Sequence, residues 1–252
     1  MIIILNSFLS AIAFYTIIPI PKGLNLNFQK IPLWLGWIGL FIGVLLIVVD
    51  YFLSAISVPP LTKSALVVGA WVYITGGLHL DGVMDTADGL ATQNPEKRLE
   101  VMADSATGAY GVMAGVFVLG LKIFALSEMT SMVYLAILLA TSWGRWAQLS
   151  AIALYPYLKE KGKGKFLKQS LNIPQDWLLG SLFIIPLILL QIFTYHQPWQ
   201  TILFLNCLCL TIALAVGGWF NWQLKGHTGD TYGATVEWTE VFILSSLTIF
   251  FA

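Results

Sequence analysis

Long apolar runs recur along the chain at lengths set by a bilayer rather than by a globular core. A hydrocarbon layer about 30 Å thick needs about 20 mostly apolar residues per helix, because an unpaired backbone amide is too costly to leave there. About eight runs meet that measure, near 1–20, 32–56, 60–79, 110–127, 131–155, 177–195, 199–219 and 234–251. Turn-forming clusters separate several of them: PIPKG at Pro19 to Gly23, VPP at Val58 to Pro60 and YHQP at Tyr195 to Pro198. The first run opens MIIILNSFLS, with neither a basic leader nor a small-residue cleavage site, and reads as a retained span. No internal repeat and no long linker interrupt the pattern, so residues 1–252 read as one membrane-embedded domain. The expected fold is all-α, a polytopic helical bundle of about seven or eight transmembrane helices.

Composition strengthens that reading. The chain is 58% hydrophobic and only 10% charged, with ten tryptophans. Its mean hydropathy is +0.80, far above that of a soluble domain of this length. A formal net charge of zero implies no nucleic-acid partner, and what matters is where the charges lie. Lys159, Lys161, Lys163, Lys165 and Lys168 fall within ten residues in YPYLKEKGKGKFLKQS, the clustering of a cytoplasmic loop. Counting spans from there puts Lys22, Lys30, Lys97, Arg98, those five lysines and Lys225 inside, ten basic residues in all, against Lys63 alone outside. Both termini then lie outside. Cys207 and Cys209 lack the flanking ligands of a metal site and read as packed or lipid-facing thiols.

Against this apolar background the stretch GGLHLDGVMDTADGL, Gly76 to Leu90, gathers Asp81, Asp85 and Asp88 at the inner end of the third run. Spacings of four and three put all three on one helical face, where like charges repel unless a cation sits among them or protons are shared. Hard divalent ions such as Mg²⁺ are held by carboxylates together with substrate phosphates. Gly76, Gly77, Gly82 and Gly89 point to close approach of backbone to a ligand. A second acidic stretch, KGHTGDTYGATVEWTE, lies before the last run and on the same side, with Asp230, Glu237 and Glu240 among Gly226, Gly229 and Gly233. Glu237 and Glu240 also fit acids at a helix start, which the macrodipole favours.

Between them, DSATGAYG at Asp104 to Gly111 reads as a glycine-bearing turn in which Ser105 and Thr107 cap the next helix or bind a phosphate. Arg145 sits inside the fifth run, where a cation pairs with an acid or an anionic ligand. Lys122 and Asp50 lie nearer run ends, within reach of snorkelling.

Together GGLHLDGVMDTADGL, MADSATGAYGVMA and GHTGDTYGATVEWTE resemble the cobalamin synthase family, the adenosylcobinamide-GDP ribazoletransferases, in order and over nearly the whole chain. One departure is Ala106, where many members carry a basic residue. The resemblance implies a Mg²⁺-dependent enzyme of a prokaryotic cell membrane. Such enzymes attach α-ribazole, or its 5′-phosphate, to adenosylcobinamide-GDP with loss of GMP, the nucleotide-loop assembly step of vitamin B12 biosynthesis. It assigns Asp81, Asp85 and Asp88 to the metal, with Asp230 and Glu237 as further ligands or as the base. His79 and His227 are alternative bases, each equally suited to a structural hydrogen bond. Gly82, Asp104, Ser105, Thr107, Gly108, Arg145, Thr228 and Gly229 become candidates for holding substrate phosphates.

Two rivals fit less well. A CDP-alcohol phosphotransferase needs Ala-Arg where Asp85-Thr86 stand and a glycine where Pro95 falls. A cation transporter places its acids near the midplane on broken helices, whereas these lie at run ends on one side.

We predict that a cysteine placed at Lys163 stays unlabelled when intact cells meet a membrane-impermeant thiol reagent. Labelling from outside would reverse the orientation.

Overall fold

The computed structural model describes residues 2–160 and 162–252; Lys161, one of the five clustered lysines, lies outside the described residues. Twelve α-helices are named here in chain order: α1 Ile2–Tyr15, α2 Leu35–Ala55, α3 Pro60–Ile74, α4 Leu78–Ala91, α5 Arg98–Val101, α6 Ala109–Glu128, α7 Val133–Leu154, α8 Lys163–Gln169, α9 Gln175–Gly180, α10 Ile184–Phe193, α11 Trp199–Leu224 and α12 Gly229–Phe251. No strand occurs among the described residues. Each of the eight apolar runs contains helix.

Fewer of them are full spans than expected. Among the described residues five helical segments are long and apolar enough to cross a membrane, Ile31–Ala55, Ala109–Glu128, Gln175–Phe193, Trp199–Leu224 and Gly229–Phe251. A bent pair, Pro60–Ile74 with Leu78–Ala91, makes a sixth if counted as one span. The first run falls short because α1 has 14 residues, or about 21 Å at 1.5 Å each, and the fifth because α7, though 22 residues long, carries Arg145 and Gln148 and is not apolar enough. The third breaks early: Gly76 and Gly77 take φ values of +64° and +71°, left-handed turns that end α3 and swing α4 away by 90°. Asp81, Asp85 and Asp88 therefore ride on a separate helix and not on the tail of α3.

α7 is the axis of the bundle. Every residue from Leu135 to Ala153 is buried, with α2, α11 and α12 packed around it. Hydrophobic transfer cannot drive that packing inside lipid, so close backbone approach must. At Gly39 of α2 an added Cβ would stand 2.3 Å from the Thr141 carbonyl oxygen of α7, which only a missing side chain allows. The bundle's outer surface is apolar instead, with Val44, Val48, Val116, Phe124, Leu203 and Ile249 exposed as a lipid-facing belt should be.

The charged centre of the bundle differs from the expected snorkelling of Lys122. Its Nζ lies 2.6 Å from Glu237 Oε2 and 2.5 Å from Glu240 Oε2, and 4.3 Å from the ring centroid of Trp71. Arg145 Nη1 meets Glu240 Oε1 at 2.6 Å. All four side chains are buried. Two cations face two carboxylates, so the charges cancel where water cannot screen them. Asp50 is also buried, paired with Lys63 at 3.0 Å at the opposite end of the bundle from the acidic motifs.

Removing one member of such a cluster strands a buried charge, at a cost of about 3–5 kcal/mol. We predict that Lys122→Met lowers the thermal unfolding temperature in detergent sharply. Adding Glu237→Gln to Lys122→Met should recover a large part of the loss. No recovery in the double variant would show that packing and not charge balance explains the defect.

Candidate active site

The two acidic stretches meet because α4 and α12 cross where both lack a side chain. A Cβ at Gly82 would stand 2.4 Å from the Asp230 carbonyl oxygen, and one at Gly233 would stand 3.0 Å from His79 Cα. Gly82, one of the glycines expected to face a ligand, is spent on this crossing, and Gly89 packs against Met102. Asp81 and Asp85 of α4 thus share one rim with Asp230 of α12. Asp85 experiences Asp81, Asp230 and Asp88 as like charges, with Lys159 as the opposing one.

The start of α12 is fixed by a capping box: Thr231 N–H donates to Thr228 Oγ1 at 3.2 Å, and Thr228 N–H donates to Thr231 Oγ1 at 2.8 Å. Thr228 Oγ1 also donates to Asp230 Oδ2 at 3.2 Å, and Lys159 Nζ binds the same oxygen at 2.8 Å. Thr228 is therefore buried as a cap, while Gly229 is exposed at the cleft. Lys159 belongs to the basic stretch after α7, which folds back over the site instead of only facing headgroups. Tyr157 N-terminal to it packs so tightly on Gly164 that a Cβ there would meet the ring at 2.3 Å. Lys168 of α8 donates to the Ala153 carbonyl at 3.0 Å, satisfying the end of α7.

Asp88 has a different task from its two neighbours. Its Oδ2 accepts from Gly108 N–H at 2.7 Å and its Oδ1 from Gly111 N–H at 2.8 Å, which caps α6 from outside. The capping expected of Ser105 or Thr107 is done by this carboxylate. Asp104, Ser105 and Thr107 are exposed, and Asp104 accepts from the Ala106 N–H in a local turn at 3.0 Å.

Four further candidates are placed away from the rim. Glu237 is held by Lys122 in the core rather than beside Asp230, and Arg145 is held by Glu240. His227 is sandwiched between Tyr155 and Tyr232, each at 5.4 Å, with Nε2 at 3.1 Å from the Gly217 carbonyl oxygen and Nδ1 at 3.1 Å from Thr231 Oγ1. Burial pushes its pKa down to about 4, so the ring is a neutral structural element with both nitrogens occupied. His79 lines the cleft itself.

That cleft, of about 460 Å³, runs inward from the rim between α1, α4, α7, α12 and the basic stretch. It is lined by Asp81, His79, Lys159 and Asp230 together with Tyr15, Gln148, Tyr157 and Tyr232, which the sequence reading did not single out. A polar Gln148 inside an apolar run, three residues after Arg145, was the available signal. A second groove of about 680 Å³ lies behind α4 against α11 and α12, lined by residues such as Val83, Leu90, Val216 and Trp238 and by no charged group. It offers no chemistry to a phosphate.

Among the described residues no three His, Cys, Asp or Glu side chains close into a ready metal cage. The rim sets three carboxylates beside one ammonium, the donor type that hard divalent ions take together with phosphate oxygens.

We predict that Asp88→Asn lowers thermal stability in Mg²⁺-free detergent by about 1–3 kcal/mol, because one accepting oxygen is lost beneath two donors. Asp85→Asn relieves like-charge repulsion and should leave stability unchanged or higher. The reverse order of the two melting temperatures would refute these roles.

The family model for cobalamin-5-phosphate synthase matches residues 7–248. An adenosylcobinamide-GDP ribazoletransferase of Trichormus variabilis is 48% identical over 248 residues, 98% of each chain. Another, of Synechocystis sp., is 49% identical over 243 residues, 95% of this chain and 93% of its own. That of Thermosynechococcus vestitus is 44% identical over 244 residues, 97% of this chain and 96% of its own. No solved structure matches. With a family model matching residues 7–248 and relatives 44–49% identical over nearly their full length, the chain belongs to the cobalamin-5-phosphate synthase family.

Proposed function

We propose that this chain is a membrane transferase that joins α-ribazole, or its 5′-phosphate, to adenosylcobinamide-GDP and releases GMP. The observation that carries the reading is the meeting of Asp81, Asp85 and Asp230 beside Lys159 at the mouth of a cleft sized for a small ligand. A ribose hydroxyl oxygen forms a bond to the phosphorus borne by cobinamide, and the bond from that phosphorus to the bridging oxygen of GMP breaks. Mg²⁺ held by Asp81, Asp85 and Asp230 would supply charge neutralisation of the diphosphate and of the departing GMP.

The chain's own groups do the rest. Lys159 adds a cation at the rim, placed to draw the diphosphate toward Asp230. The hydroxyl proton passes to Asp230 or to His79, which both line the cleft; Glu237 is locked by Lys122, and His227 has no free nitrogen. Asp88 positions the start of α6 and, through it, the turn at Asp104 to Gly108. The burial of Arg145 against Glu240 makes it a structural counter-ion, not a phosphate ligand. The site end of the bundle also carries most of the basic residues, which supports a cytoplasmic placement for the rim.

Removal of divalent cations with a chelator should abolish GMP release, and Mg²⁺ should restore it. Asp85→Asn and Asp230→Asn should each lower kcat at least about a hundredfold and raise the Mg²⁺ concentration needed for half-maximal rate. If Asp230→Asn turns over normally with unchanged Mg²⁺ dependence while Asp85→Asn is dead, the joint site is refuted.

A further inference from the structure

Below the charged rim the cleft ends on four polar side chains from four helices: Tyr15 of α1, His79 of α4, Gln148 of α7 and Tyr232 of α12. All are more than nine-tenths buried, with exposures of 3, 5, 5 and 1%. Each still carries a polar atom without a hydrogen-bond partner among the described residues: Tyr15 Oη, His79 Nδ1, Gln148 Oε1 and Tyr232 Oη. Buried polar groups are ordinarily bonded, and of the fourteen side-chain atoms without a partner among the described residues these four line one cavity, where a ligand could complete their bonding.

The character of that ligand follows from charge and shape. Behind the floor, Lys122 and Arg145 are matched by Glu237 and Glu240, so the floor presents no net charge. A phosphate would be drawn to the rim and its bound cation. The floor offers two hydroxyls, an imidazole nitrogen and an amide oxygen, a set suited to hydroxyl groups that both donate and accept. Phe14, Phe28 and Tyr157 add aromatic surface to the walls. A cavity of about 460 Å³ takes one small heteroaromatic ligand and leaves no room for a corrin ring beside it.

We propose that the floor is the seat of a neutral nucleoside, its ribose hydroxyls bonded by Tyr15, His79, Gln148 and Tyr232 and its base lying against the aromatic walls. This rests on the transferase reading, in which both reactants carry a nucleoside: the incoming α-ribazole and the guanosine of the GDP group.

The test is titration calorimetry on the full chain in detergent without Mg²⁺, using α-ribazole and guanosine as separate probes. The wild-type chain should bind one of them. Tyr15→Phe and Tyr232→Phe, which keep the ring and remove only the hydroxyl, should each weaken that binding about five- to tenfold. The KM of the matching substrate should rise in proportion, with the KM of the other unmoved, and Asp85→Asn should bind the nucleoside normally. Binding of α-ribazole assigns the seat to the acceptor, and binding of guanosine assigns it to the leaving nucleotide. If neither probe binds, or both variants keep wild-type binding and KM values, the seat is overturned and the transferase reading stands. Nucleoside binding by a wild-type chain that transfers nothing would sink the transferase reading and keep the seat.

Discussion

The arrangement depends on one contact, the crossing of α4 over the first turns of α12 with no side chain between them. Gly82 and Gly233 let the two backbones touch, and nothing larger than hydrogen fits at Gly82 against the Asp230 carbonyl. Two acidic stretches nearly 150 residues apart in sequence become one rim because of it. The 90° break at Gly76 and Gly77 is its precondition, since α4 must leave the line of α3 before it can reach α12. Glycine thus acts here twice for different reasons, once through backbone freedom and once through lack of bulk.

Charge is distributed in layers along this frame. The outer surface is apolar, the rim is acidic with one lysine held at Asp230, and the centre is a closed set of two cations and two carboxylates. A buried ion pair is poor evidence for net stability, but a balanced set leaves no net charge in the core beside the cleft while the rim stays charged. Through that set Lys122 of α6 and Arg145 of α7 tie their helices to the carboxylates of α12 just below the site.

Much of this was legible in the residues. The apolar runs located every major helix because lipid imposes a length on each one, and the clustering of aspartates located the chemistry because like charges are not gathered without reason. The eight runs give five or six helices long and apolar enough to cross among the described residues, because run length registers neither the brevity of α1 nor the polar residues inside α7. In sequence Lys122 reads as a snorkelling residue and Glu237 as a metal ligand or base, while Arg145 reads as paired with an acid or an anionic ligand; only the three-dimensional pairing shows that the acid is Glu240 and that these charges neutralise one another. Tyr15, Tyr232 and Lys159 left no mark in sequence, because nothing local distinguishes a tyrosine in a helix, or one lysine among five, from its neighbours.

The way Asp88 holds α6 carries a further consequence. The turn at Asp104 to Gly111 has the glycines and free amides of an anion nest, and a phosphate could sit in such a place. In this fold the nest already contains an anion, tethered to the same chain and bonded to both Gly108 and Gly111. A tethered group competes at an effective concentration on the order of millimolar or more, so a free phosphate at lower concentration loses to it. The turn is in effect a receptor filled by its own ligand: it converts a potential binding loop into a latch, and it makes α4 and α6 move as one body.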